Sequence, residues 1–580
     1  MNRTIAAFFL LLLNASVMGA ESERTVRLKI IETSDVHGYF FPYDFVERKS
    51  LSGTLSRVNT YVEQQRKEMG DNVVLIDNGD ILQGQPTCYW SNFVKTCDEN
   101  IAASVVNYMK YDAETMGNHD VEPGHNVFDK WIREVRCPLL GANIIDKKTQ
   151  QPYVTPYAVL ERSGVKIAIL GMITPTISCW LNEAVYEGLE FQEMVSCARH
   201  WVKIIQEREQ PDIICGLFHS GKDGAITMPN GVQENASDRV AREVPGFDVI
   251  FFGHDHRVHN YKTTNVAGKE VLCVDPSCFA QNIAEANIEI SFKDNIITDK
   301  KIEGVIVSVR DIAVDEDMVS YFQPQIDEIK NYVEEKIGTF ETGASTRDSY
   351  FGNSAFTDFI QNLQLKITGA DISFNAPLSF DVSINPGPIT VAEMFKLYRF
   401  ENKLCVLSMS GKEIRKHLEM SYDLWVNTMK TPDDHLLLLN VDAKNDQQRM
   451  GFLNYTFNFD SATGIDYEVD VTKPDGEKVR ILRLSDGKPF EENKYYKVAM
   501  NSYRASGGGE LLTKGAGIPK DSINRRIIYE SELDLRHYLM EEIKRQKVVT
   551  PTPNHNWKFV PESWTKPAAK RDRQLLFPNN

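Results

Sequence analysis

The chain has 580 residues, too many for one hydrophobic core, so two or more large domains are expected. Its 42% hydrophobic and 25% charged content is that of a globular protein, and a formal net charge of −16 argues against a partner such as a nucleic-acid polymer, whose phosphates call for a basic face. Small anionic substrates stay open where a metal ion supplies local positive charge.

In chain order, residues 1–20 read as an export signal. Arg3 makes a short basic start, residues 5–13 are apolar, and Val17-Met18-Gly19-Ala20 offers small residues for cleavage. The apolar run is too short to span a membrane and no later one is longer, so an exported, periplasmic protein without a membrane span is expected. All nine cysteines follow this segment. Cys88 and Cys97 flank a polar, aromatic insertion and are expected to form a disulfide, with Cys273 and Cys278 a second pair. Cys215, inside an apolar run, reads as a small buried hydrophobe. No Cys-x-x-Cys pair occurs, which argues against a zinc ribbon.

Residues 26–31 (Val-Arg-Leu-Lys-Ile-Ile) form a strand by alternation and β-branching, running into Ser34-Asp35-Val36-His37-Gly38. Asp35 and His37 are two apart, so on an extended segment both project to one side, a spacing that suits one cation. A helix is expected over residues 55–69, then a continuous apolar strand over 73–77 ending in Asn78-Gly79-Asp80. Helical sequence over 100–110 leads to a short strand at 113–115 and to Met116-Gly117-Asn118-His119-Asp120-Val121-Glu122. There an amide oxygen able to ligate a hard cation stands next to an imidazole able to donate a proton. The pattern recurs downstream: the strand at 165–170 is followed by no ligand-like residue, that at 213–218 by His219, and that at 249–252 by Gly253-His254-Asp255-His256. Five apolar strands thus deliver Asp, His or Asn at their C-terminal ends, which gather on one edge of an α/β sandwich where ligand sites form.

Together these blocks resemble the calcineurin-like metallophosphoesterase pattern of Asp-x-His, Gly-Asp, Gly-Asn-His-Asp, His and Gly-His-x-His, over about residues 25–312. The resemblance implies a four-layer α/β/β/α sandwich with Asp35, His37 and His256 on one metal ion, Asn118, His219 and His254 on a second, and Asp80 bridging. His119 would be the imidazole that is not a ligand and contacts the scissile phosphate or its leaving oxygen. Two divalent cations about 3.5–4 Å apart clamp phosphate oxygens and activate water, so no protein nucleophile is needed. Mixed N/O ligation suits Mn, Zn, Fe or Co. The relatives often carry Asp three residues after this His; here Glu122 stands there, with Asp120 a rival partner for His119.

Residues 313–338 turn acidic and read as a linker helix stopped by Gly338. From 339 to 560 the order of helices and strands resembles the C-terminal domain of bacterial 5′-nucleotidase-family enzymes, a second α/β, nucleotide-binding unit, followed by a polar, loosely ordered tail at 561–580. In that family two aromatics sandwich the nucleobase, and the matching positions are Phe400 and Tyr503. Asn375-Ala376-Pro377 stands where the 5′-nucleotidase branch has an arginine-bearing turn, and Gly507-Gly508-Gly509 lacks that branch's Asp for the ribose hydroxyls. The run Tyr503-Arg504-Ala505-Ser506-Gly507-Gly508-Gly509 is instead similar to the 2′,3′-cyclic-nucleotide 2′-phosphodiesterase/3′-nucleotidase branch, as are Phe457-Asn458-Phe459-Asp460 and Leu418-Glu419-Met420-Ser421. The expected activity is therefore hydrolysis of 2′,3′-cyclic nucleotides and 3′-nucleotides. A 5′-nucleotidase or nucleotide-sugar hydrolase, a sulfur-compound hydrolase on the same scaffold, and a non-catalytic nucleotide-binding protein are the alternatives. With base and phosphate held by different domains, a domain rotation during turnover is expected.

Overall fold

The computed structural model describes residues 23–228, 230–440 and 449–578, so the expected export signal lies outside the described residues. Two six-stranded sheets stack in the first domain. One runs in the order Ile296–Ser308, Asn282–Lys293, Glu23–Thr33, Val73–Asp77, Ala113–Thr115, Leu139–Leu140. The other runs Val258–Thr264, Glu270–Pro276, Val249–Phe252, Ile213–His219, Val165–Ile173, Tyr157–Arg162. The central strands are parallel and in register, Thr33 beside Asp77 and Phe218 beside Phe252. Val73–Asp77 is buried at every residue, as a continuous apolar run in a doubly covered parallel sheet must be.

Three apolar layers follow. Leu28, Ile30, Val74 and Ile76 face Ile167, Ile169, Cys215 and Leu217 between the sheets. Helices Leu55–Met69 and Ile101–Met109 cover the outer face of the first sheet, and Met194–Arg208 and Ser237–Glu243 that of the second. This is the α/β/β/α sandwich expected from the sequence. The second domain is built on a sheet ordered Ser461–Thr463, Ile372–Asn375, Tyr495–Asn501, Lys403–Ser410, Ile527–Asp534, packed by helices Ala355–Thr368, Gly411–Trp425 and Leu535–Gln546.

Three expectations are corrected. The acidic linker is two helices, Glu316–Tyr321 and Gln323–Glu334, because Pro324 opens a new helix at its first turn. Gly338 stops neither: it lies inside strand Lys336–Phe340, where a Cβ would run into the Ile543 side chain and the Lys547 carbonyl. The tail is ordered as helix Glu562–Leu576, with Ala568 and Phe577 in the core and the buried Asp572 carboxylate accepting from the Leu437 N–H at 2.9 Å. Its polar sequence is the solvent face of an amphipathic helix. None of the nine cysteines is disulfide-bonded: Cys88 is buried and donates to the Ile81 carbonyl, Cys97 is exposed, and Cys273 and Cys278 are both buried.

Candidate active site

The sheet edge at the C-terminal ends of the parallel strands gathers the ligand-like residues into two groups. Donor atoms of Asp35, His37 and His256 lie within 4.8 Å of one another, as do those of Asp80, His219 and His254. Asp80 joins the groups, with Oδ2 3.2 Å from His219 Nε2 and 3.9 Å from His37 Nε2. Asn118 Oδ1 lies 3.2 Å from His219 Nε2. All seven residues named from the sequence are therefore in one place.

The backbone there is bent in a way that side chains resist. Asp35, His37, Asp80, His254 and His256 all have positive φ, between 49° and 76°. Each such residue costs about 1–2 kcal/mol in an L-amino acid, and Asp and His tolerate it better than most. The bends turn consecutive side chains off the strand ends into a shared volume. Gly117 makes the packing possible, since a Cβ there would overlap the Asp80 carboxylate.

Hydrogen bonds orient the imidazoles. His37 Nδ1 donates to the Gln83 carbonyl at 2.9 Å and His219 Nδ1 to the Asn78 carbonyl at 2.6 Å, so in both rings Nε2 faces the group. His254 is reversed: its Nε2 meets Glu234 Oε1 at 2.9 Å, leaving Nδ1 toward the group. Burial pushes the His37 imidazole down to about 3, making it a neutral donor. Burial also lowers His219, but Asp80 and Asp35 outweigh it and raise that ring to about 9. Asp35, although buried, is held below the usual carboxylate range by His219 and His256.

The donor set fits divalent cations. His37 Nε2 and His256 Nε2 face each other at 3.2 Å, a spacing that donors around one cation adopt. Asp35 Oδ1 is fully buried with no hydrogen bond, and His256 Nε2 stands 3.2 Å away. Carboxylate, imidazole and amide oxygen together suit first-row divalent ions.

His119 stands beside this cluster, its ring centroid 5.4 Å from that of His37. Its backbone N–H donates to Asp80 Oδ1 at 2.8 Å, and its Nδ1 meets Glu122 Oε2 at 2.7 Å. The longer carboxylate therefore reaches. Asp120 is not the partner: its two oxygens accept backbone N–H groups of Asp80, Ile81, Leu82 and Gly117, tying the two loops together. The His119 side chain remains 28% exposed, enough to meet a substrate oxygen. Burial pulls its pKa down, while Asp80 and the Glu122 hydrogen bond raise it to about 9.

Two further residues belong to the site without having stood out in the sequence. Glu234 comes from the small hairpin of Gly224–Thr227 and Gln233–Asn235, a polar stretch with no preceding apolar strand to flag it. Asn402, in the second domain, donates from Nδ2 to Glu122 Oε1 at 3.2 Å, a contact made 280 positions away in the chain.

Phe400 lies two residues before Asn402, on the loop between helix Val391–Leu397 and strand Lys403–Ser410, and is partly exposed. Tyr503, on the short helix Ser502–Ala505, packs edge-on against Phe457 with centroids 6.1 Å apart. Phe400 and Tyr503 make no ring contact with each other. Gly508 explains part of the glycine run, because a Cβ there would strike the Tyr503 ring. Arg504 braces the same loop, bonding Asp460 Oδ2 at 2.8 Å, the Phe457 carbonyl at 2.7 Å and the Gly508 carbonyl, while buried His417 Nε2 meets the same Asp460 oxygen at 2.8 Å.

Comparison with known proteins agrees with this layout. The calcineurin-like phosphoesterase family model matches residues 28–258, and the 5′-nucleotidase C-terminal domain model matches residues 336–514. The chain is 26% identical to the 2′,3′-cyclic-nucleotide 2′-phosphodiesterase/3′-nucleotidase of Haemophilus influenzae, across 96% of this chain and 91% of that protein. It is also 26% identical to the protein of the same description from Salmonella typhimurium, across 95% and 91%. A Staphylococcus aureus structure described as a 5′-nucleotidase shares the fold with TM-score 0.76 at 20% identity, covering 92% of this chain and 100% of that one. With both family models matched in order and a long chain of the same architecture beside it, the chain belongs to the calcineurin-like phosphoesterases that carry a 5′-nucleotidase C-terminal domain.

Proposed function

We propose that this metal-dependent phosphoester hydrolase acts on 2′,3′-cyclic nucleotides and 3′-nucleotides, with two divalent cations seated by Asp35, His37 and His256 and by Asn118, His219 and His254, and Asp80 shared. The observation that carries the reading is the convergence of seven donor-bearing residues on one sheet edge with His119 beside them. When bound, the cations supply Lewis acidity to the phosphate oxygens and lower the pKa of water. The chain's own residues do the rest. Glu122 fixes the His119 ring through Nδ1, so that Nε2 presents its proton to the ribose oxygen that leaves phosphorus. Asn402 holds the second oxygen of Glu122 in place. Phe400 and Tyr503, on loops of the second domain, grip the base by stacking, which contributes ~1–3 kcal/mol per base and tolerates different bases. The 2′,3′-cyclic substrate class is supported by the likeness of the named relatives and by the 503–509 loop, which has no carboxylate for a free ribose diol. Export to the periplasm is supported by the pattern of residues 1–20; among the described residues, no helix is long and apolar enough to cross a membrane.

Phosphate release from 2′,3′-cyclic AMP, 3′-AMP and 5′-AMP, measured with Mn²⁺ added, tests the assignment. Turnover of the first two is expected. Preference for 5′-AMP moves the protein to the 5′-nucleotidase reading, and binding without any hydrolysis removes the catalytic one.

A further inference from the structure

Beside the site described, Asp255, His259 and Asp275 form a third group whose donor atoms lie within 4.8 Å of one another. Its origin is local. Strands Val258–Thr264 and Glu270–Pro276 pair antiparallel with His259 directly opposite Asp275, and Asp255 sits in the turn just before the first of them. His259 Nε2 is 3.3 Å from Asp255 Oδ2. That is close to the 3.2 Å between His256 Nε2 and Asp35 Oδ1 in the first group. Donors held about 2.1 Å from a tetrahedral ion stand about 3.4 Å apart.

Two of the atoms that face this point make no hydrogen bond. Asp275 is fully buried, its Oδ1 accepts from the Ser277 N–H at 2.7 Å, and its Oδ2 has no hydrogen bond. His259 Nε2 is likewise buried without a hydrogen bond, and its ring is fixed by stacking on Phe252 at 5.4 Å. Asp255 is set by backbone N–H groups, from Lys222 at 3.1 Å to Oδ2 and from Arg257 at 3.0 Å to Oδ1. The Lys222 ammonium lies over the Tyr261 ring, 4.2 Å from its centroid. A buried carboxylate oxygen and a buried ring nitrogen without hydrogen bonds are costly, by about 1–3 kcal/mol each, unless something bridges them. Side-chain exposures of 14% for Asp255 and 19% for His259 leave an entry path.

We propose that Asp255, His259 and Asp275 seat a further divalent transition-metal ion, distinct from the catalytic pair. One imidazole and two carboxylates, with water completing the shell, suit Zn or Mn. Asp255 lies between His254 and His256, so an ion here pins the turn that carries both of them to strand Glu270–Pro276. It is a brace for the catalytic ligands and takes no part in the chemistry.

Metal content after stripping with a chelator, refilling with Zn²⁺ and gel filtration provides the test. Three equivalents per chain are expected for the wild-type protein, and two for both His259→Ala and His259→Gln. Crystals of the wild-type protein soaked in Zn²⁺ should show an anomalous peak about 2.0–2.2 Å from His259 Nε2, a readout that needs no variant to fold. Two or fewer equivalents in the wild type, three in the variants, or no peak at His259 beside filled catalytic positions would overturn the proposal while leaving the phosphoesterase reading intact.

Discussion

His119 and Asn118 are neighbours in sequence that touch different partners. Asn118 Oδ1 points at His219 within the donor group, whereas the His119 ring is turned out and held by Glu122. His119→Ala is accordingly expected to lower kcat by about 10²–10⁴-fold, the usual contribution of a placed acid, with bound metal unchanged when assayed by elemental analysis. Loss of metal together with activity would make His119 a ligand instead. Glu234 belongs to the same scale. It holds His254 from outside, so Glu234→Gln is expected to weaken metal affinity by about 10–100-fold, read by calorimetric titration of the stripped protein. Unchanged affinity would leave Glu234 as a wall of the cleft. The five positive φ angles at Asp35, His37, Asp80, His254 and His256 belong here too: they bring these side chains together at the expense of local stability.

The loop at 503–509 shows how an element is shaped by one side chain. Tyr503 lies against Gly508, and Arg504 reaches under both to Asp460, so the glycines serve the ring's placement as well as the chain's turn. Gly508→Ala should therefore displace Tyr503 and raise KM for nucleotides by about tenfold or more, within the worth of a base stack. The same variant should leave hydrolysis of a phosphoester without a base untouched. Equal loss on both substrates would mean that the loop acts on the metal-bearing side. At this scale the sequence was readable: the strands Val73–Asp77 and Val249–Phe252 and the helix Leu55–Met69 lie at the expected bounds, because continuous apolar runs and clear helical periodicity dominate locally. The linker and tail were not, because a proline restart and an amphipathic face are settled by what packs against them.

At the scale of the molecule, the two domains meet through a mixed interface. Tyr89 donates to Asp534 at 3.0 Å and packs edge-on against Phe395, and buried Arg536, paired with Glu401 at 3.0 Å, lies over both rings. Asn182 donates to Glu530 at 2.6 Å and Lys396 pairs with Glu47 at 3.1 Å. The contact between Asn402 and Glu122 belongs to this interface, so the position of the second domain bears on the carboxylate that steadies His119. If base and phosphate are handed between domains by rotation, a cysteine pair at Asn182 and Glu530 joined by a short thiol crosslinker should stop turnover and leave nucleotide binding in place. Full turnover in the crosslinked protein would show that the domains need not move.

The sequence by itself determined the strand ends, the residue types they deliver and the order of the two domains, because these follow from apolar runs and from short motifs whose members are near one another in the chain. It also named the seven residues that gather at one sheet edge and His119 beside them. Only the tertiary structure decided that Glu122 and not Asp120 holds His119, that Glu234 backs His254, and that Asn402 crosses from the second domain. It likewise joined none of the nine cysteines in a disulfide. The physical reason is common to these cases: a hydrogen bond or a disulfide is set by distances of a few ångströms between atoms whose separation along the chain carries no periodic trace.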